Sequence, residues 1–220
     1  MSATQLAPAA TRVRLGVEFL ILFVGLVGGY ALVGSPGSPI PPLVLAAVAA
    51  VVYLRRQSTF DSRDLLRAAG LRAALPSIVR TWSLAAVALV AVLALVAPER
   101  LFDFPREEPV IWAFVVVFYP LLSVYPQELV YRAFLLHRYA PVLGTGAWAA
   151  AASAAVFGFA HIIFGSWISV AMTAVGGWLF ARRYQLTRSL LAASVEHALY
   201  GVLIFTIGLG DLFYHAAPTS

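Results

Sequence analysis

Seven apolar stretches dominate this chain, and each is long enough, or nearly so, to cross about 30 Å of hydrocarbon as a helix. They run Leu15–Val33, Ile40–Tyr53, Ser77–Val96, Val110–Leu136, Thr145–Phe164, Trp167–Ala181 and Ser189–Leu209. Inside a bilayer no water satisfies a free backbone N–H or C=O, so such segments are stable there only with their own hydrogen bonds closed. The sequence therefore predicts an all-α fold: a polytopic transmembrane helical bundle of about seven spans. Residues 1–220 would form a single integral membrane domain with membrane lipid as its partner. The second and sixth stretches are short. The fourth is overlong, and its Pro120 and Pro126 predict a broken helix. Composition agrees, with 61% hydrophobic and 11% charged residues, against roughly 45–50% and 25% in soluble domains. The absence of cysteine removes a disulfide-stapled secreted fold.

All fifteen basic residues are arginine. Arg12, Arg14, Arg55, Arg56, Arg63, Arg67, Arg72, Arg80, Arg138, Arg182, Arg183 and Arg188 fall on one side of the proposed spans. Arg100 and Arg106 fall on the other, beside Glu99, Asp103, Glu107 and Glu108. The positive-inside rule then predicts a cytoplasmic N-terminus. The arginine-only usage suggests a GC-rich genome, and the expected location is a bacterial plasma membrane. Arginines dispersed between apolar runs do not make the continuous basic face that nucleic acid requires, so no nucleic-acid partner is expected. The first apolar run exceeds the ~7–15 residues of a signal-peptide core and is read as an uncleaved span. Its Gly25 and Gly29 have the spacing that lets helix backbones approach closely. Residues from Phe60 to Arg80 alternate apolar and arginine positions at near-helical spacing, which predicts one cytoplasmic amphipathic helix on the membrane surface.

A charged side chain at mid-bilayer costs about 2.5–3.5 kcal/mol on insertion scales, so such residues need partners and usually a task. The last four stretches hold Gln127, Glu128, Arg132, His161, Glu196 and His197. Glu128 and Arg132 lie four apart with the acid first, the favourable order for a helical ion pair. Glu18, one turn from Arg14 near the interface, reads as a structural pair. Two histidines and a carboxylate on successive spans are the donor types of a hydrolytic zinc site, in which metal-bound water becomes a nucleophile near neutral pH.

At these residues the sequence resembles the CPBP family of intramembrane proteases, which includes the type II CAAX prenyl endopeptidases and bacteriocin-processing relatives. That family carries Glu-Glu-x-x-x-Arg, Phe-x-x-x-His and His-x-x-x-Asn on successive helices. The counterparts here are Gln127-Glu128-Leu129-Val130-Tyr131-Arg132, Phe157 to His161, and His197 to Gly201, within residues 110–209. The resemblance implies peptide-bond hydrolysis at or within the membrane, on a peptide or protein substrate that the sequence does not identify. It further implies Glu128, Arg132, His161 and His197 as catalytic residues, with His161, His197 and Glu128 holding zinc. Two positions depart from the pattern: Gln127 stands where the family has its first glutamate, and Gly201 where it has asparagine. A glutamine takes no proton at neutral pH. Glu128 is the first candidate to replace the missing base. Glu196 could supply a carboxylate, and Tyr200 the hydroxyl that the asparagine would have offered. The alternatives are an inactive family member serving as membrane scaffold, immunity or maturation factor, and a small transporter. With straight helices, Glu128, His197 and His161 sit at three different depths. Their convergence needs a buried Gly165-Ser166 turn or a late start to the fourth span.

Overall fold

Each of the seven apolar stretches is helical in the computed structural model, which describes residues 8–213, and no strand occurs among them. The helices are α1 (Ala9–Leu32), α2 (Ile40–Arg55), α3 (Ala68–Val96), α4 (Pro109–Arg138), α5 (Ala147–Phe164), α6 (Trp167–Thr187) and α7 (Leu190–Ile207). Of these, α1, α3, α4, α5 and α7 are long and apolar enough to span a membrane, and α2 is a shorter apolar helix of 16 residues. The chain is an integral membrane helical bundle. Many valines and leucines on α1, α3 and α4 remain exposed, as befits side chains whose solvent is lipid.

Two segments differ from the sequence reading. Residues 60–80 do not form a separate helix. Asp61 caps a short turn at Ser62–Leu65, and α3 then runs unbroken through Pro76 for 29 residues. At 1.5 Å per residue that is about 44 Å, more than the hydrocarbon thickness, so the arginine-bearing first turns are the overhanging end of a spanning helix. The Arg63 N–H bonds the Asp61 carboxylate at 2.9 Å and, together with Arg67, holds that carboxyl below its usual range. The expected break in the fourth stretch is also absent. The helix carries Pro120 at the start of a wide π-type turn, Pro120–Val124, holds Pro126 in the short α-helical run that follows, and continues through a second wide turn, Leu129–Phe134, to Arg138. A π-turn adds a residue without opening the chain, and such turns recur at functional sites.

The centre of the bundle is α4, which packs against α2, α5 and α7. The tightest helix pair is α5 with α6, where small residues bring the backbones together. A Cβ on Gly158 would lie 2.8 Å from the Cβ of Ala174, and one on Gly177 would lie 3.1 Å from the Cα of Ala154. Gly165, with φ +67°, makes the left-handed turn between these helices, and the Ser166 side chain then caps α6 by accepting from the Ser169 N–H. In contrast, Gly29 has open space about it, and Gly25 meets only the carbonyl of its own helix.

Polar ties fix the helix ends. Buried Asp64 takes ion pairs from Arg67 and Arg188, and Ser189 donates to the Arg67 carbonyl at 2.8 Å, joining the start of α3 to the α6–α7 turn. Glu18 is structural, as its sequence position suggests, but its partner is Arg138 rather than Arg14. The two carboxylate oxygens accept from the Arg138 guanidinium at 2.9 and 2.7 Å, and Tyr139 adds a third bond. Replacing Gly158 by leucine should force α5 and α6 apart and destabilise the bundle by about 1–3 kcal/mol, the usual range for overpacking. Unfolding in mixed micelles measures it.

Candidate active site

The residues that a bilayer should exclude are gathered by α4, α5 and α7. Glu128 ends the short α-helical run between the two wide turns of α4, and Arg132 lies four residues on, inside the second. Both are wholly buried, with Glu128 Oε2 3.2 Å from Arg132 Nε. The other oxygen, Oε1, is 2.9 Å from Nδ1 of His197 on α7. A carboxylate oxygen accepts, so the proton of this bond is carried by Nδ1. Arginine, glutamate and histidine thus form a continuous buried chain across two helices.

Aromatic rings and one hydroxyl enclose that chain. The Arg132 guanidinium lies 4.4 Å from the centroid of the Phe157 ring and 5.8 Å from that of Phe180, so π-faces accept much of a charge whose Nη2 makes no hydrogen bond. Ser153 of α5 donates to the Tyr131 carbonyl inside the wide turn, at 2.7 Å, and lies 3.4 Å from Arg132 Nη1. His197 stacks on Phe180 with centroids 4.6 Å apart and planes within 13°. Phe157 meets His197 edge-on at 5.5 Å and His161 at 4.9 Å.

His161 ends the regular part of α5, where the helix tightens into a 3-10 turn over His161–Phe164. Its Nδ1 lies 2.8 Å from the Phe157 carbonyl. A carbonyl only accepts, so Nδ1 carries hydrogen, and in the neutral ring Nε2 keeps the lone pair. On α4, Gln127 donates from its amide nitrogen to Ser123 Oγ at 2.7 Å, while its buried Oε1 has no hydrogen-bond partner. Tyr119, two turns earlier on the same helix, brings its hydroxyl to 3.4 Å from His197 Nε2.

A cavity of about 2230 Å³ opens into the bundle, and Tyr119, Ser123, Gln127, His161, His197 and Gly201 all lie on its wall. Its other lining is largely apolar, and it exceeds the roughly 300–1,000 Å³ of a drug-sized pocket. Glu128 and Arg132 do not line it. They stand behind His197, in contact with it and with each other. Glu196, the alternative carboxylate, is taken by Arg183 in a two-pronged pair at 2.8 and 3.0 Å. Tyr200 is on the wall, but the hydroxyl beside His197 is that of Tyr119.

The fourth span does not start late, since α4 begins at Pro109. Glu128 and His197 nevertheless meet directly in a hydrogen bond, and His161 is joined to His197 through the shared ring of Phe157. Sequence reasoning missed Tyr119, Phe157 as a ring shared by both histidines, and Ser153. The one available signal was Gly201, which leaves a side-chain volume to be filled from elsewhere.

The donors do not fit a three-residue zinc site. Among the described residues no group of three or more His, Asp and Glu side chains is spaced to hold a metal ion. One oxygen of Glu128 is committed to His197 and the other faces Arg132. Replacing Arg132 by methionine should strand a buried carboxylate and cost about 3–5 kcal/mol, whereas Glu128→Gln with Arg132→Met should recover more than half of the loss. Unfolding of the two variants in mixed micelles tests this.

A family model described as Type II CAAX prenyl endopeptidase Rce1-like matches residues 108–203. No curated protein and no solved structure matches the chain. All three motifs fall inside the matched stretch, with their side chains meeting on α4, α5 and α7. Over residues 108–203 the chain is therefore similar to the Rce1-like type II CAAX prenyl endopeptidases.

Proposed function

We propose that this protein is an intramembrane endopeptidase that hydrolyses a peptide bond in a substrate entering the apolar cavity, with its N-terminus in the cytoplasm. The observation that carries this reading is the set of polar groups on one cavity wall: His161, His197, Gln127 and Tyr119. In a lipid-facing bundle such groups are costly, and a cavity wall that gathers them is suited to holding water and a polar substrate group.

Each residue has a role consistent with its hydrogen bonds. Held by the Phe157 carbonyl at Nδ1, His161 presents the lone pair of Nε2 and takes the proton from water as the water oxygen attacks the substrate carbonyl carbon. The same imidazolium then gives that proton to the leaving amine. Gln127 serves as an orienter on the cavity wall, its side chain fixed by the bond from its amide nitrogen to Ser123. It cannot be the base. Glu128 positions His197 rather than acting on the substrate, and Arg132 supplies the compensating charge behind it.

Zinc, which the resemblance implies, has no preformed three-donor set here, so none of these steps runs through it. The amide of Gln127 and the missing side chain at Gly201 are what favour the second reading, an inactive family member used as a scaffold.

Purified protein in liposomes, given internally quenched peptides ending in a prenylated Cys-aliphatic-aliphatic-X sequence and their unprenylated counterparts, should cleave at least one series. His161→Ala should lower the rate by about 100-fold or more, as loss of a general base does. Cleavage should survive a chelator that strips zinc. About one zinc per chain, lost in the His161→Ala/His197→Ala double variant, would overturn the metal-free mechanism. Absence of cleavage from both peptide series would leave the scaffold reading standing.

A further inference from the structure

We infer that Tyr119 takes over the task of the absent side chain at position 201, as the neutral hydrogen-bond donor that holds His197 at Nε2. This rests on the endopeptidase reading for its consequence and on geometry for its existence. His197 and Gly201 are one turn apart on α7, so a side chain at 201 would stand directly beside the imidazole. That space is filled. A Cβ built on Gly201 would lie 2.4 Å from both Cε1 and the hydroxyl oxygen of Tyr119, and 2.7 Å from Cζ. A side chain at 201 and Tyr119 in its present position exclude one another.

The hydroxyl that enters this space has one histidine atom to meet. His197 Nδ1 carries the proton given to Glu128, so in the neutral ring Nε2 is an acceptor, and Tyr119 Oη is 3.4 Å away. The tyrosine ring is seated by Phe205 of α7, edge-on at 5.4 Å, and meets the imidazole nearly perpendicularly at 6.3 Å. The wide turn Pro120–Val124 follows immediately, so Tyr119 is the last residue before α4 changes pitch. The rotation introduced there lets one helix present Tyr119, Gln127 and Glu128 to the same neighbour, α7 and its cavity. With Glu128 on one nitrogen and Tyr119 on the other, the imidazole plane is fixed from both sides, and Phe180 stacked beneath it prevents tilting.

Tyr119 is thus a positioning residue, and three variants separate it from a packing tyrosine. Tyr119→Phe keeps the ring and removes only the hydroxyl. It should reduce kcat about tenfold with KM little changed, the effect of losing one hydrogen bond to a reacting-site group. Tyr119→Ala should lose more, and Tyr119→Ala/Gly201→Asn should regain most of the loss, because an asparagine amide then fits the vacated space and donates to Nε2. A readout independent of cleavage is the ¹⁵N spectrum of histidine-labelled protein in micelles, with His197→Gln identifying the His197 signals. The Nε2 resonance should move in Tyr119→Phe and move back in the double variant. An unchanged His197 signal in Tyr119→Phe overturns the inference whether or not the protein cleaves peptides. So does a double variant no better than Tyr119→Ala by either measure. Missing cleavage alongside a shifted signal would count against the endopeptidase reading and leave the Tyr119–His197 bond established.

Discussion

The chain Arg132–Glu128–His197 is the interaction on which the rest of the site depends. Charges removed from water lose several kcal/mol of solvation each, and only close partners of opposite charge recover it. Here the recovery needs α4 and α7 at one depth and one rotation, because Glu128 bonds its own helix with one oxygen and the neighbouring helix with the other. The pair therefore acts as a register mark: shifting α7 by a turn would leave a buried carboxylate without its imidazole. The rings of Phe157 and Phe180 share the charge of Arg132, and the same two rings hold His197, so packing and electrostatics restrain the same atoms.

Close packing and an open cavity occur on the same helices. Glycine and alanine at the α5–α6 contact leave no room for a side chain at Gly158 or Gly177, and other residues of these two helices, Phe157, His161 and Phe180 among them, line the large cavity together with Tyr119, Gln127 and His197. A tightly packed helix pair forming part of a cavity wall holds its polar groups in place while leaving space in front of them. The wide turns of α4 serve this arrangement. Each rotates the residues beyond it, and Ser153 takes up the Tyr131 carbonyl within the second, so the departure from regular helix leaves that buried carbonyl with a partner.

Much of the fold was legible because a bilayer admits few solutions. Apolar length alone located all seven helices, and the unwelcome residues Glu128, Arg132, His161 and His197 identified the helices that matter. The misreadings share one cause: each treated a local signal as decisive where a distant residue decides. Pro120 and Pro126 suggested a break, but neighbouring helices support the backbone, and the helix runs on through both. Glu18 was matched with Arg14, its neighbour in sequence, although Arg138 and Tyr139 reach it from across the bundle. Glu196 looked available because its adjacent residue is His197, yet successive residues on a helix point about 100° apart, and Arg183 holds it on another face.

The sequence by itself determined the solvent, the helices, the family resemblance and the identities of the buried polar groups, because these follow from hydropathy and from residue types at fixed spacing. Only the tertiary structure decided what those groups touch. Spacing could not say that both oxygens of Glu128 are taken by Arg132 and His197, that the amide of Gln127 is tied to Ser123, or that a tyrosine from α4 fills the volume left by Gly201. These are contacts between helices, fixed by rotations that depend on the π-turns of α4 and on which neighbour each helix packs against. Periodicity reports which face of a helix is apolar; it carries no information on which side chain of another helix arrives there.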